Sequence, residues 1–454
     1  MCDTFALGKS FFVLGKNFLG KDSDRPLGEA QPLAFFQGGD HQPGETVACT
    51  HLTIPQAEHT YTVLGSRPYW IWGFEMGVNE CGLAIGNEAQ GSRCGAEAEE
   101  GLLGMDLLRL ALERADTARK GVEVIAGLLE TYGQNANASQ LFDRRYENSF
   151  MLVGRQEIWL LETAGRQWAA RQVHDWAAIS NCYTIGREYD MGSQQLESLA
   201  RVNRWLHPDE AFDFAKAYTL PAIRQTQSVP RWRRMCSLIE GKNTPLDTQD
   251  ARRILRDHFE GEINQPRWSG SCGDFASVCM HAGRWDAGQT AASLLSWHDD
   301  VLGPVSWYAP STPCCSVYVP VYWTGDVPQA MKQASAVYDE ASLWWRVERL
   351  SALVGAEEER FGPQVRGALR QLEEQLMREA EQTEQQAKEL LGAGRKDDAY
   401  DALSQLTVSA VQRLMDLSHA LAEEISRMIA SDGGLYGIKK DFLQDYSARV
   451  QLPL

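Results

Sequence analysis

Three observations predict a layered α/β fold, with two sheets inside, helices outside and a helical appendage at the C-terminal end. Strand-length apolar runs alternate with amphipathic helical stretches up to about residue 330, in the order strands, helices, strands, helices, strands. The strand-like runs are bulky at both alternating positions, so each is expected to be covered on both faces. From about residue 338 strand formers nearly vanish and leucines recur at helical spacing.

The elements follow in order. "TFAL", "FFVL" and "NFLG" near the start read as short strands, and "SFMLVG", "EIWLLETAG" and "RQWAARQV" (149–173) read as antiparallel strands joined by hairpins. Between them, "LLGMDLLRLALERA" (102–115) carries leucines three and four apart. Asp116 and Thr117 then offer an N-cap to "ARKGVEVIAGLLETY", which Gly133 can close. The spacing predicts a further capped helix over 247–261 and strands in "DFASVCMHAG", "TAASLLSWHD" and "CSVYVPVYW" (274–323). Beyond 338, Val365, Leu369, Leu372 and Leu376 form a heptad-like seam, broken at Gly392 and Gly394 before a last long helix. The expected domains are 2–330, an α/β body; 338–430, a helical appendage, read as a hairpin docked on the body or a dimerising coiled coil; and 431–454, a C-terminal segment of unassigned role.

Composition narrows the partners. The chain has 454 residues and a formal net charge of −17, and its only dense basic run is "RWRRM" at 231–235. An acidic surface without a basic patch argues against nucleic acid or an anionic membrane as partner. No apolar run approaches the roughly 20 residues of a membrane span, and no signal-peptide pattern is present. The ten cysteines are scattered. Reduced thiols in a cytoplasmic protein are therefore expected, and without a CxxC…CxxC pattern no structural zinc site is.

Cys2 stands directly behind the initiator methionine. Met aminopeptidase removes Met1 before a small residue, which would make Cys2 the N-terminus. A thiol of pKa about 8.5 would then sit beside an α-amine of about 7.7–8.0. That amine can take the thiol proton and return it to a leaving group, so one residue supplies nucleophile and base. The same Cys at this position can also be chance. "CDTFAL" enters an apolar run at once, which would pin the terminus. The segment "GKDSDRP" (20–26) brings two cations and two carboxylates where the next strand would finish. A hairpin of residues 3–7 with about 15–20 would return Lys21, Asp24 and Arg25 near Cys2; the plain alternative is a polar turn.

The opening "CDTF…GKDSDRP" resembles the secernins. So do "SRPYWIWGFEMGVNECGLAIGNEA", "LLGMDLLRLALERADTA", "NSFMLVGRQEIWLLETAGRQWAA" and "AISNCYTIG", in the same order. The resemblance covers about residues 2–325. It implies a four-layer αββα sandwich of the N-terminal-nucleophile hydrolase type and cysteine-dependent hydrolysis of amide bonds in dipeptides or small peptides, without cofactor or metal. By that resemblance Cys2 is the nucleophile, and Lys21 sits where related amidases carry an Arg near the thiol. Asp24 holds the nucleophile's amine or thiol. Asn181 binds the oxyanion or substrate carbonyl, a task an amide donor suits. Asn87, in preference to Asn79, is a second such Asn, and Arg231 is a further active-site Arg. One departure is Asp22, where secernins have Asn; a carboxylate there could raise the thiol pKa. The alternatives are an N-acyl amide acylase or acyltransferase of the same fold, and a non-catalytic interaction protein using the helical appendage, through which a homo-oligomer could also form.

Other candidates have plainer readings. Cys279 and His281 would share a strand face, but two ligands do not make a zinc site. Cys314 and Cys315 read as buried, Glu162 as a strand-end cap, and Tyr69, Trp70 and Trp72 as core.

Overall fold

The computed structural model describes residues 2–95, 99–225, 227–261, 276–283, 287–435 and 440–454. They fall into two compact units: residues 1–21 with 36–251, and residues 22–35 with 252–454.

In the first unit, β1 (Cys2–Leu7) lies between β2 (Phe18–Pro26, which runs on into the second unit after Lys21) and the later strand Trp176–Ile179. A larger sheet is built from β3 (Val63–Ser66), β4 (Met76–Asn79), β5 (Ala84–Gln90), β6 (Glu147–Val153), β7 (Ile158–Ala164) and β8 (Gln167–Val173). With Trp176–Ile179 as β9 and Met191–Gly192 as β10, seven of its eight strands run in the order β10–β8–β7–β6–β5–β4–β3, each of these neighbours antiparallel. The three strands over 147–173 are the hairpin-linked run expected from sequence.

One face of the large sheet is covered by α1 (Gly104–Arg114) and α2 (Ala118–Tyr132). Leu107, Leu110, Val122, Ile125 and Leu129 pack there against Ile85, Phe150, Leu152, Trp159 and Leu161. Each such side chain contributes about 1.5–3 kcal/mol on leaving water. Strand alternation decides which residues join this core, because Ile85 and Asn87 face the helices while Gly86 and Glu88 face the other way. Thr117 Oγ1 accepts the Lys120 N–H at 3.3 Å to start α2. Gly133, at φ 69°, ends it, its N–H donating to the Leu129 carbonyl at 2.8 Å.

The opposite face of the large sheet meets the β9–β1–β2 sheet. Thr4 donates to Glu88 and the Lys21 ammonium to the Asn87 carbonyl at 2.5 Å. A Cβ on Gly86 would come within 2.5 Å of Lys21 Cδ, so glycine is what lets these layers approach. Outside β1 and β9 lies α3 (Ser228–Glu240), its Trp232 Nε1 donating to the Ala178 carbonyl at 3.0 Å. The first unit is thus the expected αββα sandwich, α1/α2 and α3 being its outer layers.

One expectation changes and one plain alternative falls. "FFVL" is a turn: Phe12 enters a ring cluster with Phe18 (4.5 Å between centroids) while Val13 and Leu14 are exposed and Gly15 takes φ 64°. "GKDSDRP" is fully buried strand and not a polar turn. Its polar side chains find partners within their own units, including Lys21 with Glu88, Ser23 with Gln31, Asp24 with Thr290 and Arg25 with Glu29.

In the second unit β11 (Gly288–Asp299), β12 (Gly303–Pro310) and β13 (Val319–Tyr322) follow β2 in sheet order. Helix α4 (Thr248–Leu255), begun in the first unit, stops short of the predicted 261, where Arg256 is drawn onto Glu373 and Phe259 takes φ 63°. The predicted strand over 274–283 is irregular across 276–283, tied by Cys279 N–H to the Asp257 carbonyl (3.2 Å); residues 274 and 275 lie outside the described residues. The strand in "CSVYVPVYW" is confined to β13 because Pro313–Cys315 form a single helical turn.

Helices α5 (Leu343–Ala356), α6 (Glu358–Gly392), α7 (Lys396–Ser431) and α8 (Lys440–Val450) complete the unit. The seam residues Val365, Leu369, Leu372 and Leu376 are buried within this chain, and Arg413 of α7 reaches Glu379 of α6 at 2.7 Å. Among the described residues no helix is long and apolar enough to cross a membrane.

Candidate active site

Cys2 opens β1 and is buried, as are Asp3 and Thr4 behind it. Thr4 points at Glu88, so alternation puts the Cys2 side chain on the same inner face and Asp3 on the outer one. Their surroundings divide accordingly.

On the inner face stands Lys21, wholly buried, its ammonium 2.5 Å from the Asn87 carbonyl and 3.3 Å from Glu88 Oε1. Burial alone would lower the Lys21 pKa. The Cys2 thiolate, then Glu88 and Glu75, outweigh it and hold the ammonium above its ordinary range. The attraction is mutual, so Lys21 favours the thiolate of Cys2. Burial pushes Glu88 up to about 7, against the pull of Lys21 and Thr4. Lys21 therefore stays cationic while its carboxylate partner titrates near neutrality.

At the backbone of Cys2 stands Asn181, just past β9. Its Oδ1 accepts the Cys2 N–H at 3.1 Å and Arg231 Nη2–H at 2.6 Å. Its Nδ2 donates to the Ala89 carbonyl at 2.8 Å. Arg231, fully buried on α3, also pairs with Asp3 and reaches the Cys2 carbonyl at 3.4 Å. Burial pushes the Asp3 carboxyl up, and Arg231 and Ser180 pull it back.

The loop that carries Asn181 is clamped from below. Glu162, inside β7 and not at a strand end, accepts Thr184 N–H (2.7 Å), Thr184 O–H (2.9 Å) and Ile185 N–H (2.9 Å). Burial nonetheless pushes this carboxyl up to about 7. Gln90 Nε2 donates to the Ser180 carbonyl, and Tyr183 O–H to that of Thr163. Gln90 also borders a cleft of about 190 Å³ with Ser92, Arg145, Tyr146 and Glu147.

The structure thus gathers Cys2, Lys21, Asn181 and Arg231 around the start of β1. It does not bring the Asn87 amide there. That side chain faces α1, between Asn148 Oδ1 (3.1 Å) and the Glu75 carbonyl (2.9 Å), and only its carbonyl meets Lys21. Asn79 locks the β4–β5 turn, donating to the Leu112 and Ala115 carbonyls and accepting from Cys81 and Leu83 N–H. Asp24 lies in the second unit, accepting from Thr290 Oγ1 at 2.7 Å. Asp22 is buried there too, and its charge disfavours ionisation of Cys279 and Tyr318. Trp72 is a stacking partner of Arg109 (4.0 Å). Sequence reasoning missed Asp3, Thr4, Glu88 and Gln90. The alternation of "CDT" and "NEA" carries the signal for the first three, but only once the strand register is known.

Residues 46–235 match the model of peptidase family C69, a span that holds Asn87, Asn181 and Arg231 and begins after Cys2 and Lys21. Two proteins named probable dipeptidase B, from Streptococcus pyogenes serotypes M6 and M18, are each 21% identical over 439 residues, covering 86% of both chains. Among solved structures, a C2A mutant of conjugated bile acid hydrolase from Clostridium perfringens aligns with a TM-score of 0.41 and 11% identity, covering 74% of this chain and 95% of that one. A Caenorhabditis elegans ortholog of N-acylethanolamine-hydrolyzing acid amidase aligns at 0.33 and 10%, covering 65% and 92%. The chain is an enzyme of the peptide and amide hydrolase class, related to peptidase family C69 through residues 46–235.

Proposed function

We propose that this chain hydrolyses dipeptides or short peptides with Cys2 as nucleophile, Met1 having been removed. The observation that carries the reading is the bond from the Cys2 nitrogen to Asn181 Oδ1, made beside a buried lysine that favours the thiolate. Once Met1 is gone that nitrogen is the α-amine. The amine takes the thiol proton, and the sulfur attacks the amide carbonyl. The C–N bond then breaks as the ammonium returns the proton to the leaving nitrogen. Water, deprotonated by the same amine, cleaves the thioester and restores the thiol. Asn181 Oδ1 orients the amine. Its Nδ2 carries a second hydrogen besides the one given to Ala89, suited to the developing oxyanion. Arg231 holds Asn181 and Asp3 in place. The 86% overlap with relatives named dipeptidases favours peptides as substrates.

Intact-mass analysis and a substrate panel test this. The mature chain should lack Met1, hydrolyse dipeptides faster than N-acyl amino acids, and lose activity at least a thousandfold in Cys2→Ala. Retained Met1 in active enzyme, or an Ala variant as active as wild type, rules the mechanism out.

A further inference from the structure

In the second unit four metal-binding side chains come together from three stretches of chain. His258 follows α4, Cys279 and His281 lie on the irregular segment 276–283, and Cys314 sits in the helical turn Pro313–Cys315. All four are buried, and one ligand atom from each lies within 4.8 Å of every other. His281 Nε2 is 3.3 Å from His258 Nε2, 3.3 Å from Cys314 Sγ and 3.6 Å from Cys279 Sγ. A tetrahedral zinc with Zn–N of about 2.0–2.1 Å and Zn–S of about 2.3 Å has N–N edges of about 3.3 Å and N–S edges of about 3.5 Å. The three edges that meet at His281 Nε2 have the lengths of a tetrahedral ligand shell, and the other three lie within 4.8 Å.

The surroundings point the same way. Glu260 Oε1 lies 3.2 Å from His258 Nδ1, so Nδ1–H donates to the carboxylate and Nε2 is presented to the cluster, as in metal-bound histidines backed by a carboxylate. The three stretches are fixed by other bonds: Cys279 N–H to the Asp257 carbonyl, Met280 N–H to Thr290 Oγ1, and Arg256 Nε to the Pro313 carbonyl. The site is therefore preformed. Ordinary hydrogen bonding would account for a His–His or His–Cys pair. It does not require four ligand atoms to converge on one centre, because thiols are weak donors.

We propose that His258, Cys279, His281 and Cys314 form a structural zinc site. On binding, the two thiols give up their protons to solvent and coordinate as thiolates. The two neutral imidazoles complete the shell, which leaves the site without net charge and with no open position for catalysis. This stands apart from the reading of Cys2, and its test does not depend on activity.

Full-length protein, purified under reducing conditions without chelator, is analysed for metal and then reconstituted with cobalt(II). The expected result is one zinc per chain, with visible bands of tetrahedral cobalt and thiolate-to-cobalt charge transfer. Glu260→Gln should keep the site but weaken zinc binding by roughly 10–100-fold, and Cys81→Ser should leave it unchanged. Cys314→Ser should abolish the charge-transfer pattern of two thiolates; should that variant not fold, the wild-type cobalt spectrum still decides. Reconstituted wild-type protein with substoichiometric zinc and only octahedral cobalt would overturn the proposal. So would a Cys279–Cys314 disulfide in protein kept reduced throughout.

Discussion

Around Cys2 the decisive residue is Glu88, which shares Lys21 with the thiol. With Glu88 ionised, part of the lysine's field is spent on the carboxylate, and a like charge stands near the thiolate. Glu88→Gln removes both effects. The Cys2 thiol pKa should fall by about one unit, and alkylation by iodoacetamide near neutral pH should speed up roughly tenfold. An unchanged rate–pH profile would show that Lys21 does not act on Cys2 through this pair. The same group sets a stability slope. Its folded pKa of about 7 lies above the ordinary 4.5, so between those values the native state keeps a proton that the unfolded chain has released. Stability should therefore fall as pH rises through that window, by a few kcal/mol, and level off above it. Urea titrations at pH 5 and pH 8 check this, and the difference should shrink in Glu88→Gln. At this scale Cys2, Lys21, Asn181 and Arg231 were legible as site candidates, through a motif and a resemblance. Asn87 and Glu88 were not told apart. They are neighbours on β5, and a strand's period of two sends one to the helices and the other to Lys21. Nothing local in "GNEA" fixes which, because register is set by the pairing with β6.

Among the elements, the loop after β9 depends on a residue from another strand. Glu162 accepts two backbone N–H groups and a hydroxyl from Thr184 and Ile185, three and four residues past Asn181. Glu162→Ala leaves three donors unpaired, the Ile185 N–H among them fully buried, which should cost about 2–4 kcal/mol by urea unfolding. It should also lower kcat by letting Asn181 drift from the Cys2 nitrogen. A loss of stability with kcat intact would make the clamp purely structural. By contrast Thr117→Ala, which removes the cap of α2, should cost about 1 kcal/mol and leave kcat unchanged. That helix was legible down to both caps because Thr117 and Gly133 act on their own neighbours. The polar run "GKDSDRP" hid a buried strand because the partners of Lys21 and Asp24 lie remote in sequence, Glu88 being 67 residues from Lys21 and Thr290 being 266 from Asp24. The irregular path of 276–283 was hidden for the same reason, since Asp257 and Thr290 hold it.

Over the whole chain, the change in composition near residue 338 marks where helices take over, but it does not show what those helices cover. Within the second unit they complete the interior. Glu348 of α5 is buried and accepts Ser311 Oγ at 2.6 Å, Gln289 Nε2 at 3.0 Å and Tyr446 O–H at 2.8 Å. Trp344 Nε1 donates to the Ala291 carbonyl of β11. Glu373 of α6 takes both guanidinium nitrogens of Arg256, at 2.7 and 2.8 Å, and the Tyr318 N–H at 2.9 Å. Removing residues 338–454 would strand Arg256, Ser311 and Tyr318 and uncover the surface that Leu343, Trp344, Trp345, Val347, Leu350 and Leu353 bury. At about 1.5–3 kcal/mol for each apolar side chain, the loss from α5 alone is on the order of 10 kcal/mol, as large as the whole stability of a typical domain. A chain ending at residue 337 should therefore be insoluble or lack a cooperative thermal transition for its second unit. Calorimetry and limited proteolysis against the full-length protein check this. A soluble, monomeric truncation that melts sharply and resists protease between residues 288 and 322 would mean that the strands hold together without their helices.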